Sequence, residues 1–173
     1  PWPVAASCDV SLTCQCQGAG GGADAGGDSG PAVCDPVSFG VADVRRQGRD
    51  LTVVATSLMV HRALKLAARL EAEEGISLEV IAPRTLVPFD VDTVVESVRK
   101  TGRLLVVDEA YLNFGIHAEV IAAVTERAFD ALKAAPRRLG NPGVPVPFAP
   151  PLQDEVLPNR ARIEAAIREM LSH

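Results

Sequence analysis

The sequence lacks any run approaching the roughly 18 uninterrupted apolar residues that a membrane span needs. No basic n-region followed by an apolar stretch opens it either. Neither membrane insertion nor classical secretion is expected, and a cytoplasmic location is. A cationic excess is also missing: 17 Lys and Arg stand against 22 Asp and Glu, for a net charge of −5 and a pI near 5.2. That gives no electrostatic footprint for a phosphate backbone, so the expected partners are proteins or small molecules and not nucleic acid. No internal repeat is visible. At 173 residues, 47% of them hydrophobic, the chain has the size of one ordinary globular domain.

Lys and Arg are wholly absent from residues 1–40, which hold 8 of the 14 Gly, all four Cys and four Asp. Setting those four acids aside leaves 17 basic against 18 acidic residues, a charge near −1 for the remainder. Gly18 to Gly30 is mostly Gly, Ala and Asp, which loses much backbone entropy on ordering and has little to bury in return. Residues 1–35 are therefore expected to be a flexible leader. Their glycine and cysteine usage motivates the further expectation of a non-native extension, such as a shifted reading frame produces. Cys8, Cys14, Cys16 and Cys34 do not form a pair of C-x-x-C knuckles and have no nearby His, so free thiols or adventitious disulfides outrank a zinc site. Gly18, Gly20 and Ala23 satisfy G-x-G-x-x-A formally, but no strand precedes them and no helix follows, as a dinucleotide fingerprint requires.

From residue 41 apolar runs alternate with amphipathic stretches, the pattern of an α/β domain. Val41–Arg46 reads as a short strand, turned by Gln47–Asp50 into the buried strand Leu51–Thr56; so tight a turn implies an antiparallel pair. Ser57 is placed to cap a helix running to Glu74, with Val60, Ala63, Ala67 and Leu70 on one stripe and Gly75 ending it. Ser77–Ala82 is the next strand. Asp90 caps a second helix whose Val91, Val94, Val95 and Val98 follow the i, i+3, i+4, i+7 rule, with Arg99, Lys100 and Gly102 marking its end. Arg103–Asp108 supplies a further strand, and a loop to Gly115 leads into a helix reaching Lys133 whose inner face is Val120, Ile121, Val124 and Ala128. Arg137–Asn141 is a last short strand. Pro142 to Pro151 reads as an extended excursion over the surface, and Pro158 and Asn159 introduce a closing helix packed through Ile163, Ala166, Ile167 and Met170.

In an open parallel sheet ligands collect at the carboxyl ends of strands, which singles out Thr56, Ser57, Arg84, Asp108, Glu109 and the loop to Gly115. Ser57 sits where a hydrolase nucleophile would, with His61, His117 and Asp108 as conceivable partners, but the glycines of a nucleophile elbow are missing and a helix cap explains it. Asp108 and Glu109 are adjacent, so on an extended chain they face opposite ways and cannot share a proton as a dyad; solvation or capping is the expected role. His117 is in register with the apolar stripe of its helix and reads as a neutral packing or interface residue. The folded part has no P-loop, no H-E-x-x-H and no phosphate-cradling glycine loop. The chemistry of a complete enzyme is not there.

Taken in order, Ala42-Asp-Val-Arg-Arg-Gln-Gly-Arg-Asp-Leu-Thr-Val-Val-Ala-Thr56, Glu79-Val-Ile-Ala-Pro-Arg-Thr-Leu-Val-Pro-Phe-Asp90 and Lys100-Thr-Gly-Arg-Leu-Leu-Val-Val-Asp-Glu109 resemble the C-terminal domain of transketolase-like β subunits of thiamine-diphosphate-dependent 2-oxo acid dehydrogenases. Gly115 with Glu119, Ala135-Pro-Arg137 and Leu157-Pro158 extend the match from Pro36 to the C-terminus, so residues 36–173 are expected to be one such domain.

The resemblance implies a three-layer α/β/α fold whose five-stranded mixed sheet has the order first, third, second, fourth, fifth, the first strand antiparallel. It also implies a subunit that works with an α subunit and a second β subunit in a heterotetramer. Such assemblies oxidatively decarboxylate pyruvate, a branched-chain 2-oxo acid or acetoin and pass the acyl group to a lipoyl acyltransferase core. In the family this domain packs subunit against subunit, which makes Arg84, Asp90, Asp108, Glu109, Gly115 and His117 interface or structural candidates. Thiamine diphosphate and magnesium are held in the intact complex by regions this sequence does not resemble, so no catalytic, cofactor or metal residue is assigned here. His117 stands where family members often carry a small residue. The rival expectation is a free-standing interaction or regulatory module on the same fold.

Overall fold

The computed structural model describes residues 38–172; the expected leader and its cysteines lie outside them. Five strands, Asp43–Arg46 (β1), Leu51–Ala55 (β2), Leu78–Ala82 (β3), Leu104–Tyr111 (β4) and Arg137–Asn141 (β5), form one sheet in the order β1-β3-β2-β4-β5. β3, β2, β4 and β5 run parallel, and β1 runs antiparallel to β3 with Asp43 opposite Ala82. This is the order implied by the resemblance. The local reading of Gln47–Asp50 as a hairpin between neighbours is corrected: the chain does reverse there, but β3 lies between β1 and β2.

Burial explains the insertion. All five residues of β2 are buried, so β2 needs a strand on each side and a helix layer on each face. Strand β1, with Arg45 exposed and Arg46 in its last position, suits an outer edge. Gly48 makes the path possible, because a Cβ there would meet the Glu79 N and Leu78 C atoms at 2.2 Å.

Alternate strand residues face opposite layers. Val53, Val80, Leu105 and Val107 pack against helices Ser57–Glu74 (α1) and Arg160–Leu171 (α5). Val54, Ile81, Leu104 and Val106 meet Val91–Thr101 (α2) and Ile116–Ala128 (α3) on the other face. The buried stripes of α2 and α5 include Val94 and Val98, and Ile163, Ala166, Ile167 and Met170, as periodicity indicates.

Three helix boundaries differ from the sequence reading. The cap position of α1 is Thr56, not Ser57, and it makes no side-chain cap bond. α3 ends at Ala128 and passes through a tighter turn at Phe129–Ala131 instead of reaching Lys133. The proline-rich stretch contains a short helix, Pro150–Val156 (α4), beginning with two prolines, where the missing N–H groups have no helical acceptor to lose. Among the described residues no helix is long and apolar enough to cross a membrane.

Candidate functional site

Strand β2 sends the chain to α1 on one face and β4 sends it to α3 on the other, so the switch point of the sheet lies at the carboxyl ends of β2 and β4. The two strand ends are tied together there. The Thr56 hydroxyl donates to Asp108 Oδ2 at 2.8 Å, and Asp108 Oδ1 accepts the Ala110 N–H at 2.7 Å. Asp108 is thus a half-buried bridge that caps no helix, and its hold on Thr56 accounts for the lack of a side-chain cap bond at the start of α1. Ser57 follows in the left-handed region at φ 47 and is exposed. It has no base: Asp108 is engaged, His61 is exposed on α1, and neither ring nitrogen of His117 has a hydrogen-bond partner. The hydrolase constellation is not assembled. Glu109 is half-buried and makes no ion pair among the described residues.

His117 is fully buried in the first turn of α3. Its ring occupies the room left by two glycines: a Cβ on Gly115 would lie 2.3 Å from Cε1, and one on Gly140 would lie 2.4 Å from Nε2. The ring is thus packed between the backbones of Gly115 and Gly140. Gly140 escaped the sequence reading although a glycine inside a strand is itself a sign of close approach.

Arg84 follows β3 and pairs with Asp43 of β1, which also receives Arg45 at 3.1 Å. Asp90 caps α2 as expected, accepting the Thr93 N–H at 3.1 Å and the Thr93 hydroxyl at 2.7 Å. It also accepts the Ala42 N–H at 2.8 Å, which ties the start of β1 to the start of α2. Burial alone would raise the Asp90 carboxyl, but these donors outweigh it and hold it below its ordinary value of 3.8. At the end of β5, the buried Asn141 accepts the Gly143 and Val144 N–H groups at 2.9 and 3.0 Å and donates to the Val144 carbonyl at 2.9 Å. This brace holds a loop that presents Val144, Val146 and Phe148 to solvent.

Residues 40–163 match the model of the transketolase C-terminal domain. The chain belongs to that family. It is similar to the β subunit of acetoin:2,6-dichlorophenolindophenol oxidoreductase of Cupriavidus necator, with 48% identity over 135 residues covering 78% of this chain and 40% of that one. It is also similar to the pyruvate dehydrogenase E1 component subunit beta of Bacillus subtilis, with 41% identity over 135 residues covering 78% of this chain and 41% of that one. Among solved structures it is similar to a split-gene transketolase described as an inactive β4 tetramer, with a TM-score of 0.68, 28% identity, and coverage of 82% of this chain and 46% of that one. The chain spans about two fifths of the length of these curated relatives.

The described part of this transketolase C-terminal domain does not fit the cofactors that the resemblance attaches to the intact complex. Among the described residues no group of three or more His, Cys, Asp or Glu is arranged to hold a metal ion. At the switch point the Asp108 carboxylate is engaged by the Thr56 hydroxyl and the Ala110 N–H. No chemical step is routed through thiamine diphosphate or magnesium here.

At the opposite end of the sheet the domain contains a charged group that sequence reasoning missed. Glu79, on β3, is buried, pairs with Lys100 of α2, and accepts the Gly48 N–H at 3.0 Å. Burial pushes its carboxyl up, but hydrogen bonds from Lys100, Ser97 and Gly48 and the Lys100 charge together hold it below the ordinary value of 4.5. Beside it Thr52 shares its hydroxyl with Ser97 at 2.7 Å and Thr101 at 2.8 Å, all buried. A strand Glu in an apolar run was the available signal.

Proposed function

We propose that this domain is the C-terminal assembly part of a 2-oxo acid or acetoin dehydrogenase β subunit, working in the cytoplasm with an α subunit and a second β subunit as a heterotetramer. In this reading the assembly oxidatively decarboxylates its substrate and passes the acyl group to a lipoyl acyltransferase core. Thiamine diphosphate and magnesium reside on other parts of the assembly, and this chain alone turns over no substrate. The observation that carries the reading is the match of residues 40–163 to the family together with β-subunit relatives at up to 48% identity. The geometry is consistent with it: the residues at the switch point bind one another, and the loops around them turn apolar side chains outward. Arg84, in the loop after β3, and Glu109, near the end of β4, are the contacts proposed for a neighbouring subunit.

Co-expression with the cognate α subunit followed by size-exclusion chromatography tests the proposal. Co-elution is expected. A persistent absence of any complex favours the free-standing interaction or regulatory module. A calorimetric titration with thiamine diphosphate is expected to give no heat from this chain alone and heat from the complex. Decarboxylation by the chain unaided would overturn the proposal.

A further inference from the structure

We infer that His117 is a bistable link between two loops at the carboxyl end of the sheet: its one ring proton has two backbone carbonyl oxygens to choose between, one beside the root of each loop. The link belongs to this chain alone and does not depend on the assembly reading.

Buried polar side chains in folded proteins nearly always find a hydrogen-bond partner. His117 is fully buried, and both of its ring nitrogens lack one. Acceptors nevertheless stand close by. The point that a Gly115 Cβ would occupy is 2.8 Å from Nδ1 and 2.2 Å from the Tyr111 carbonyl oxygen. The point for a Gly140 Cβ is 2.4 Å from Nε2 and 2.7 Å from the Ala110 carbonyl oxygen. Each nitrogen therefore shares the space beside a glycine with a carbonyl oxygen, and neither is bonded to it.

A neutral imidazole has one N–H donor, and its other nitrogen is an acceptor. Between two carbonyl oxygens it can satisfy one and must turn its lone pair toward the other, so the ring cannot close both bonds at once. With the proton on Nδ1, a tilt toward Tyr111 closes the first bond. With the proton on Nε2, a tilt toward Ala110 closes the second and sets the ring against Gly140. Glycine on both sides leaves that tilt free, since a Cβ on either would stand against the ring.

The two choices lie at the roots of different loops. Tyr111 ends β4 and leads into residues 112–115, where Phe114 holds a left-handed backbone at φ 61 with its ring fully exposed. Gly140 precedes Asn141, whose side chain braces Gly143 and Val144. Between the roots, the Leu112 N–H donates to the Asn141 carbonyl at 2.8 Å, and the Leu112 carbonyl accepts Arg138 at 2.8 Å. A contact that draws the ring toward one loop thus frees the other, and a single proton couples the two through a defined two-state element.

Nuclear magnetic resonance of the full chain, isotope-labelled at histidine and held at about pH 8, tests the link. His117, assigned by difference from His61→Gln and His173→Gln, is expected to report both neutral tautomers. Phe114→Gly relaxes the first loop and should change the tautomer ratio at least about twofold. It should also change the hydrogen-exchange rates of the Gly143 and Val144 amides at least about threefold. In a His117→Leu background, which removes the proton, the same substitution should leave those two amides as they were. A single tautomer throughout, a ratio that Phe114→Gly does not move, or a change at Gly143 and Val144 that persists without the imidazole would each overturn the inference. Should His117→Leu fail to fold, the tautomer ratio in the Phe114→Gly protein decides alone.

Discussion

At the amino end of the sheet the charged groups answer one another: Glu79 meets Lys100, Arg46 meets Glu71, Arg137 meets Glu169 and Arg168 meets Glu74. At the carboxyl end the ion pairs of Asp43 with Arg84 and Arg45 join Asp90, Asp108 and Asn141 in holding strand ends and loops in place, and much of what the loops then present is apolar. Both ends close the same two layers of core. The first completes its interactions within the domain, whereas the second stabilises a shape whose outer surface has no partner in the domain. The contrast separates residues that make the fold from residues that the fold displays, and variants at the two ends should differ accordingly.

The largest expected effect is at the amino end. Lys100→Ala leaves the Glu79 carboxylate buried without its cation and should cost about 2 to 3 kcal/mol at neutral pH. The pH dependence has a definite sign. The folded-state pKa of Glu79 is depressed, so its ionised form contributes stability that is complete above the unfolded value of 4.5 and lost as pH falls through the folded value. The penalty of Lys100→Ala should therefore shrink below about pH 4.5. Urea titrations of both proteins between neutral and acid pH check this, and a pH-independent difference would show that Lys100 acts by packing its stem and not by its charge.

Next in size is Gly140→Ala. The new Cβ would stand 2.4 Å from His117 Nε2 and 2.7 Å from the Ala110 carbonyl oxygen, and overpacking of this kind costs about 2 kcal/mol. Combining it with His117→Ala should recover only part of the loss, because the Ala110 oxygen stays. Thermal melts of the two single variants and the double variant measure that recovery, and full additivity would mean the ring and the glycine do not share the same space.

What was legible in the sequence follows the range of the interaction. Asp90, Gly102 and the valine stripe of α2 are local features, and each appears where spacing placed it. The neighbour of β1 is not local: the Gln47–Asp50 turn reports that the chain reverses, while the choice between β2 and β3 depends on which strand must be buried on both faces. Family resemblance supplied that order when periodicity did not. Long-range polar contacts were invisible for the same reason. Thr56 and Asp108 are 52 residues apart, and their bond occupies the Thr56 hydroxyl, so the cap position of α1 makes no side-chain cap bond. Prolines misled in the other direction, since Pro150 and Pro151 open α4 and do not prevent it.

Asp90→Ala should come third. It removes the cap of α2 and the bond to the Ala42 N–H together, and cap losses alone cost about 0.5 to 2 kcal/mol. A thermal melt showing no loss would contradict the role assigned to it.

The smallest effect has the opposite sign and bears most directly on the contrast between the two ends. Phe114 occupies a left-handed backbone that a glycine adopts without a Cβ penalty, and its ring makes no compensating burial in its own fold. Phe114→Gly should therefore leave the isolated domain as stable or raise its stability by about 0.5 kcal/mol, the relief of strain being offset by the freedom glycine gains in the unfolded chain. Chemical denaturation of the variant beside the parent protein measures the change. A loss of stability would mean that Phe114 serves its own fold, and would place the carboxyl end with the amino end as a region completed from within.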